Sequence, residues 1–249
     1  MTLHLLRRHP FAIAAHFDFS LVLTYALPAI VLEAMIPPGL ALDRNGKLGF
    51  LAIAMVQTRD LRPGGWPAGT GRDFFLTGYR VFTRLAAKPS LRGLRILRSD
   101  ADSPLMVVVG NIFTRYGYSL CRVKQRRSDG VLSLEVTTRG RVADLSLRVR
   151  LDDPEAPPLG SPFADLAQAR RYAGPLPYTF DYEPETRSIV VVRATRGRWS
   201  PRPVTVERVR LAFLARPPFA GARPVLAGAF IVEDVAYRWE RGYRERVPG

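Results

Sequence analysis

The stretch "HFDFSLVLTYALPAIVLEAMIPPGLALD", residues 16–43, decides which kind of fold the rest of the chain can build. Its apolar length suggests a membrane anchor or a signal peptide. The longest uncharged run, residues 19–32, is nevertheless shorter than the roughly 20 residues that a spanning helix needs. His16 and Asp18 stand where a signal peptide has its apolar core, and no small-residue cleavage site follows. We therefore expect neither an anchor nor a signal peptide.

Prolines divide this stretch into two elements. Residues 16–27 are rich in aromatic and β-branched side chains, which predicts a buried strand. Pro28 suits the first turn of a helix, where its missing N–H breaks no hydrogen bond. The triplet 37–39, Pro-Pro-Gly, cannot continue a helix. The sequence predicts a strand, a two-turn helix and a stop.

Strand signals dominate the remainder of the chain. The predicted strands are residues 47–61, 74–86, 91–100, 118–127, 131–139, 143–151, 178–182, 188–195, 206–215 and 225–239. A serine cap followed by proline predicts two further helices, beginning at Ser103 and Ser161. Three short helices among about ten strands predict an α+β fold on a large antiparallel sheet or barrel. We expect a single domain over residues 1–249, with residues 1–10 loosely ordered.

The net charge of +15 comes almost entirely from arginine, since the chain has 34 arginines and three lysines. This skew, with abundant Ala, Gly and Pro, is typical of a GC-rich genome. The arginines occur singly or in pairs along the whole chain, whereas a nucleic-acid footprint is clustered on one element. We therefore expect solvated surface arginines, and the composition does not favour nucleic acid as a partner.

Cysteine and histidine usage restricts the chemistry. Cys121 is the only cysteine, which excludes a disulfide framework and fits a cytoplasmic location. His4, His9 and His16 have no carboxylate at a metal-binding spacing, so we expect no metal and no other cofactor. A catalytic Ser-His-Asp or Cys-His set would need one of these early histidines to fold back into a pocket. No local signature such as G-x-S-x-G supports such a set.

Several segments resemble one protein family. They are "LPAIVLEAMIPPGLALD" (27–43), "GFLAIAMVQTRDLRPGG" (49–65), "SDADSPLMVVVGNIFTRYGY" (99–118), "LPYTFDYEPETRSIVVVRATRGRWSPRPV" (176–204) and "AFIVEDVAYRW" (229–239). They resemble the YqjF-like proteins, domain of unknown function 2071, of the acetoacetate decarboxylase-like superfamily. The resemblance covers nearly the whole chain after about His16. It implies a sheet closed into a barrel or cone, with short flanking helices around an interior cavity.

The resemblance also shows which catalytic groups are missing. In acetoacetate decarboxylases a cavity lysine forms a Schiff base with a β-keto acid, and a second lysine lowers its pKa. Tyr116 matches the tyrosine of that motif, but Tyr118 stands at the Schiff-base lysine and Ser119 at its neighbour. In a strand motif Phe50 matches, and Leu51 replaces a glutamate. A tyrosine cannot form an imine, so we reject decarboxylation by this mechanism.

None of the three lysines is a convincing substitute. Lys47 lies beside a predicted hairpin turn and Lys88 precedes a proline in a predicted loop, so we expect both to be solvated. Lys124 lies in a predicted strand, where alternation places it on the same face as Arg122 and Arg126. A Schiff-base lysine needs a desolvated site instead.

Three residues form the predicted ligand site. Tyr118 is the candidate catalytic residue, because it aligns with a cavity position and a phenol can donate or accept a proton. The alternative for Tyr118 is a packed tyrosine at a helix–strand junction. Arg80 matches an arginine of the YqjF-like strand motif and would bind a carboxylate if it points inward, although a surface arginine is the alternative. Tyr116 completes the set. Asp100 and Asp102 are expected to cap the following helix.

The sequence thus favours a cavity protein that binds a small, anionic organic molecule as ligand or substrate. Tyr118 and Arg80 would act in binding or in lysine-independent acid–base chemistry. Two alternatives remain open: a lyase or hydrolase with another catalytic group, and a basic protein that binds nucleic acid or an anionic surface. A homo-oligomer is compatible with each of them.

Overall fold

A computed structural model of the chain describes residues 3–247, which form fourteen strands and three α-helices. The strands are β1 Ile13–Pro28, β2 Leu40–Leu42, β3 Leu48–Pro63, β4 Arg72–Leu85, β5 Lys88–Ala101, β6 Tyr118–Ser128, β7 Val131–Thr138, β8 Leu145–Arg150, β9 Tyr178–Glu183, β10 Ser188–Arg196, β11 Arg202–Pro203, β12 Thr205–Leu211, β13 Val225–Trp239 and β14 Tyr243–Arg246. The α-helices are α1 Ala29–Glu33, α2 Pro104–Phe113 and α3 Leu166–Arg170, and 3-10 helices span Leu3–Arg8, Arg139–Arg141 and Pro184–Thr186.

Seven of these strands close into a ring. Its order is β1, β3, β4, β5, β9, β10 and β13, and β13 pairs again with β1. The predicted α+β fold, a large sheet closed into a cone with three short flanking helices, is confirmed. Its pairings are antiparallel except for a short parallel contact between β5 and β9, where Leu94 faces Thr179. That parallel contact closes the ring.

The strand predicted in the opening stretch is confirmed as β1, and it lies between β3 and β13. Residues 19–27 are buried on both faces of the sheet. Leu21 and Leu23 pack into one apolar cluster, whereas Val22 and Ala26 pack into another on the opposite face. Burial on both faces explains why the sequence runs apolar without alternation and so imitates a membrane segment.

Two helix predictions need correction. The first helix, α1, has five residues rather than two full turns, because the backbone N–H groups of Met35 and Ile36 donate to carbonyls three residues back, in turns, instead of four residues back. The third helix begins at an Asp165 cap, whose carboxylate accepts from the backbone of Gln168 at 2.7 Å. Ser161 does not cap it, because its hydroxyl instead donates to the carbonyl of Ala227 at 2.7 Å.

The N-terminal segment is held against the body of the protein. Residues 3–8, within the segment 1–10 for which the sequence predicts loose order, form a 3-10 helix, and residues 1–2 lie outside the described part. Arg8 donates two hydrogen bonds of 2.8 Å to the buried carboxylate of Glu183. No helix among the described residues combines the length and the apolar character that crossing a membrane requires.

A four-stranded extension leaves the ring at β5. The start of β6 pairs parallel with β5, and β6, β7, β8 and β12 then follow in antiparallel order. Side chains alternate strictly on β7 and β8, with the apolar ones buried. One face of the extension therefore covers the core, and the other faces solvent.

Candidate functional site

A cavity of about 100 Å³ lies between the ring, helix α2 and the segment that precedes β1. Most of its wall is apolar, and the larger apolar side chains are Phe11, Phe17, Leu61, Phe74, Leu76, Ile96, Met106, Phe113 and Trp239. Polar side chains share this wall, namely His9, Ser20, Thr58, Arg80, Ser99, Thr114, Tyr116, Tyr118, Thr179 and Tyr237. An apolar pocket with a few convergent polar groups is typical of a small-molecule site.

Arg80 points into this cavity from the middle of β4. Its neighbour Tyr79 faces the opposite side of the sheet, where its hydroxyl donates to the carbonyl of Ala143 at 3.1 Å. A glycine at position 78 leaves room for the guanidinium, because a Cβ atom there would lie 2.8 Å from Nε of Arg80. Strand alternation and one glycine thus place a cation inside the ring.

The guanidinium of Arg80 has no counter-ion in the part of the chain that the structure describes. Its Nε is buried and has no hydrogen-bond partner, and within residues 3–247 no carboxylate forms an ion pair with it. Burial lowers the pKa of Arg80, and nearby tyrosines, with Tyr237 first, oppose that change. Arginine stays protonated in proteins, so the cavity contains a positive charge that the protein itself does not neutralise.

Tyr118 lines the same cavity and is fixed by helix α2. Asn111 accepts from the backbone N–H of Tyr118 and donates to its carbonyl, both at 2.9 Å. A Cβ atom at Gly110 would lie 2.5 Å from the Tyr118 ring, so the ring packs directly on the helix backbone. Burial raises the pKa of Tyr118 to about 12, although Arg80 opposes the change. The phenol is therefore neutral at neutral pH and can donate a hydrogen bond.

Tyr116 lies beside Tyr118 on the cavity wall. The two ring centroids are 6.4 Å apart, and the Tyr116 ring is 7% exposed. Burial raises the pKa of Tyr116, and the carboxylate of Asp181 adds to the effect. The structure thus brings together the three predicted site residues, Arg80, Tyr116 and Tyr118.

His9 is a polar residue of the cavity that sequence reasoning did not select. Its backbone N–H donates to Phe113 at 3.1 Å, and its carbonyl accepts from Gly242 at 2.9 Å. The ring is 6% exposed and lies 5.1 Å from the Tyr116 ring, and neither Nδ1 nor Nε2 has a hydrogen-bond partner. Burial lowers the pKa of His9 to about 4. A neutral imidazole with both nitrogens free therefore borders the cavity.

The acidic residues before α2 do not act as predicted. Asp100 accepts two hydrogen bonds from Arg98, at 2.8 and 2.6 Å, in a buried ion pair. Asp102 accepts from the backbone N–H of Phe75 at 2.8 Å. Ser103 alone caps the helix by accepting from Met106 at 3.3 Å. The expectation that both aspartates cap the helix is wrong, because Arg98 on the same strand binds Asp100 and the backbone of β4 binds Asp102.

The lysines lie away from the cavity. All three belong to residues 3–247, and Lys47, Lys88 and Lys124 are all exposed. The ammonium of Lys88 pairs with Glu245 at 2.7 Å. Leu51 is buried in the apolar core instead of the cavity wall. Within the described residues no group of three His, Cys, Asp or Glu side chains could hold a metal ion.

The sequence matches one protein-family model. The profile of DUF2071, described as an uncharacterized conserved protein, matches residues 15–231. No curated protein matches the chain.

Several solved structures share the fold at low identity. Acetoacetate decarboxylase from Legionella pneumophila is 12% identical, with a TM-score of 0.64 over 94% of this chain and 86% of that one. An acetoacetate decarboxylase-like enzyme from Sphingomonas wittichii RW1 is 13% identical, with a TM-score of 0.60 over 95% and 93%. The enduracididine biosynthesis enzyme MppR, complexed with pyruvate, is 14% identical, with a TM-score of 0.56 over 93% and 90%. At these identities the likeness shows the fold alone.

Proposed function

We propose that the cavity of this protein binds a small organic anion. The chain belongs to the DUF2071 family and has the acetoacetate decarboxylase-like fold. The observation that carries this proposal is the unpaired guanidinium of Arg80 inside an apolar cavity. A buried charge without a partner is costly, and a ligand carboxylate would supply the missing partner. The planar fork of arginine matches a carboxylate with two parallel hydrogen bonds.

The size of the cavity limits the ligand to a few non-hydrogen atoms. An apolar cavity of about 150 Å³ is enough to bind benzene, and this one measures about 100 Å³. A short carboxylic acid, such as a two- to four-carbon acid, is therefore the class we propose. The pyruvate complex of the structural neighbour MppR supports a ligand of this size, although it concerns that enzyme.

The tyrosines of the cavity indicate which second polar group the ligand would have. Tyr118 is a neutral phenol beside Arg80, so it can donate a hydrogen bond to a second oxygen of the ligand. A molecule with a carboxylate and a neighbouring carbonyl or hydroxyl would use both groups. Imine chemistry is not part of the proposal, because the exposed positions of the three lysines keep their amines from the cavity.

Calorimetric titration with acetate, pyruvate and acetoacetate tests the proposal. We expect at least one of these acids to bind, and acetone, which lacks the carboxylate, to give no heat. Arg80→Met should abolish binding because it removes the charge but keeps an apolar side chain of similar length. The matched control is Arg122→Met, which removes an exposed arginine on β6. Equal binding by the Arg80→Met variant would contradict the proposal.

A second candidate function is favoured by the outer face of the four-stranded extension. Cross-strand pairs place seven basic side chains there: Arg122, Lys124, Arg126, Arg148, Arg150, Arg208 and Arg210. Three carboxylates, those of Glu135, Asp152 and Glu207, accompany them, and two form ion pairs of 2.8 Å: Glu207 with Arg148 and Asp152 with Arg150. Arginines that are scattered in the sequence thus collect on one surface, which is the pattern expected of a protein that binds the nucleic-acid backbone.

Binding of a random DNA duplex at several salt concentrations tests this second candidate. Aromatic side chains for base stacking do not occur on the outward face of β6, β7, β8 and β12, so the binding should be electrostatic and insensitive to base sequence. Arg126→Glu should weaken it, and Arg170→Glu on α3 should not. If the protein fails to bind the duplex even at low salt, this candidate is excluded.

A further inference from the structure

The cavity contains one group that can accept a proton at neutral pH. Its titratable wall residues are His9, Arg80, Tyr116, Tyr118 and Tyr237. Burial raises the pKa of all three tyrosines, so these phenols are neutral and act as donors. Arg80 is protonated and has no lone pair to offer. The imidazole of His9 is neutral, and neither of its nitrogens is occupied by a hydrogen bond.

The backbone holds His9 in place from both sides. Its φ of +50° lies in the left-handed region, which residues other than glycine rarely adopt. Hydrogen bonds to Phe113 and from Gly242 maintain this conformation. A side chain at position 242 would overlap the carbonyl oxygen of Arg8, so glycine is needed for this approach. Residues held in such strained conformations cluster at functional sites.

We propose that His9 is a base that removes a proton from the carbon next to the carbonyl group of a bound 2-oxo acid. This inference rests on the proposed anion site, because Arg80 holds the carboxylate. Tyr118 then donates a hydrogen bond to the carbonyl oxygen, and His9 faces the adjoining carbon. Arg80, Tyr118 and His9 all line this one cavity of about 100 Å³.

The reaction is an enolisation in which atoms and electrons balance. A nitrogen of His9 takes the proton as the C–H bond breaks, and the electron pair of that bond forms a C=C bond. The carbonyl oxygen receives the displaced electron pair and takes a proton from the Tyr118 hydroxyl. In D₂O the N–H proton on His9 exchanges with a solvent deuteron while the enol is bound. Reversal then returns a deuteron to the carbon and a proton or deuteron to the phenol, so the net result is exchange of hydrogen for deuterium in the acid. The step needs no oxidant and no further reactant.

The experiment follows the methyl protons of pyruvate by NMR in D₂O, with calorimetric binding of pyruvate measured in parallel. We expect the wild-type protein to accelerate the exchange, and His9→Asn to slow it by about 100-fold, the usual scale of a general base. Asparagine tolerates the left-handed backbone, so the fold should persist. His16→Asn is the matched control, because His16 is a half-exposed histidine that pairs with Asp234 at 3.0 Å, and it should exchange like wild type.

The outcomes separate the two proposals. Binding of pyruvate without accelerated exchange, or equal exchange by wild type and His9→Asn, overturns the role of His9 and leaves the anion site standing. Absence of both pyruvate binding and exchange overturns the role of His9, and it overturns the anion site as well if acetate and acetoacetate also fail to bind. If His9→Asn fails to fold, His9→Gly keeps the test decisive, because glycine suits the positive φ and leaves space for free imidazole. Restored exchange on addition of imidazole supports the base, and no restoration in a folded, pyruvate-binding variant contradicts it.

Discussion

Two charged residues in this protein lie in opposite environments. The carboxylate of Asp43 is 1% exposed and accepts hydrogen bonds from Arg84 at 2.8 Å and from Arg92 at 2.6 Å. The guanidinium of Arg80 has a buried Nε with no acceptor, and residues 3–247 supply no carboxylate to it. Asp43 is neutralised within the fold, whereas Arg80 has no such partner among residues 3–247.

This difference separates a structural charge from a binding charge. Paired buried charges hold neighbouring elements together, and removing one partner leaves the other uncompensated. An unpaired charge opposes folding, and we propose that a ligand, rather than stability, explains its presence. The substitutions below test whether the charges of Asp43 and Arg80 differ in this way.

The largest effect is expected at the paired site. Asp43→Asn leaves Arg84 and Arg92 without their shared counter-ion and should lower the free energy of unfolding by about 3 kcal/mol. Urea denaturation monitored by circular dichroism measures the change. Both arginines are partly exposed and can turn towards water, which keeps the loss at the lower end of the range for buried pairs.

Asp18→Asn is the matched control for this variant. Asp18 pairs with Arg59, an arginine more than half exposed, so the loss should stay below about 1 kcal/mol. Equal effects of the two substitutions would mean that Asp43 is not a structural charge and would remove one half of the comparison.

The second effect concerns His9, another polar group of the cavity without a partner. In the unfolded chain its pKa is 6.5, and in the folded protein burial lowers it to about 4. Between these values the unfolded state binds more protons, so stability decreases as the pH falls. From about pH 7 to about pH 5 this group should lower the free energy of unfolding by about 2 kcal/mol.

Comparing wild type with His9→Asn isolates this contribution. The variant should lose about 2 kcal/mol less over the same pH interval, measured by urea unfolding at each pH. His16→Asn is the matched control, because it removes a half-exposed histidine that does not line the cavity. A titration of His9 near its ordinary pKa in the folded protein would show that its ring is hydrated.

Local patterns in the sequence predict most of the strands but not how they close. The strand predicted at residues 16–27 is the middle of β1, Ile13–Pro28, because apolar and β-branched composition is a local property. The parallel contact between Leu94 and Thr179, which closes the ring, joins segments far apart in the chain. No local pattern encodes such a pairing. The resemblance to a known family supplied the closed sheet instead.

The sequence also predicts only part of the candidate site. Arg80 and Tyr118 were selected by alignment with family motifs, and the structure places both on the cavity wall. His9 was missed because the groups that hold it, Phe113 and Gly242, come from the middle and the end of the chain. Its neighbours in sequence give no sign of burial, so only the folded structure shows that this histidine borders the cavity.

The smallest effect has the opposite sign and tests the unpaired charge directly. Arg80→Met removes a guanidinium that lacks a partner and fills the space with an apolar side chain, so the free energy of unfolding should rise by about 1 kcal/mol. Arg92→Met is the matched variant at the paired site, and it should lower stability, because Asp43 then loses one of its two partners. Urea unfolding without ligand measures both changes in the free energy of unfolding.

A loss of several kcal/mol in the Arg80→Met variant would mean that Arg80 is satisfied within the fold, and the distinction between the two charges would then fail. A gain accompanied by the loss of anion binding would show that this protein gives up stability at Arg80 in order to hold its ligand.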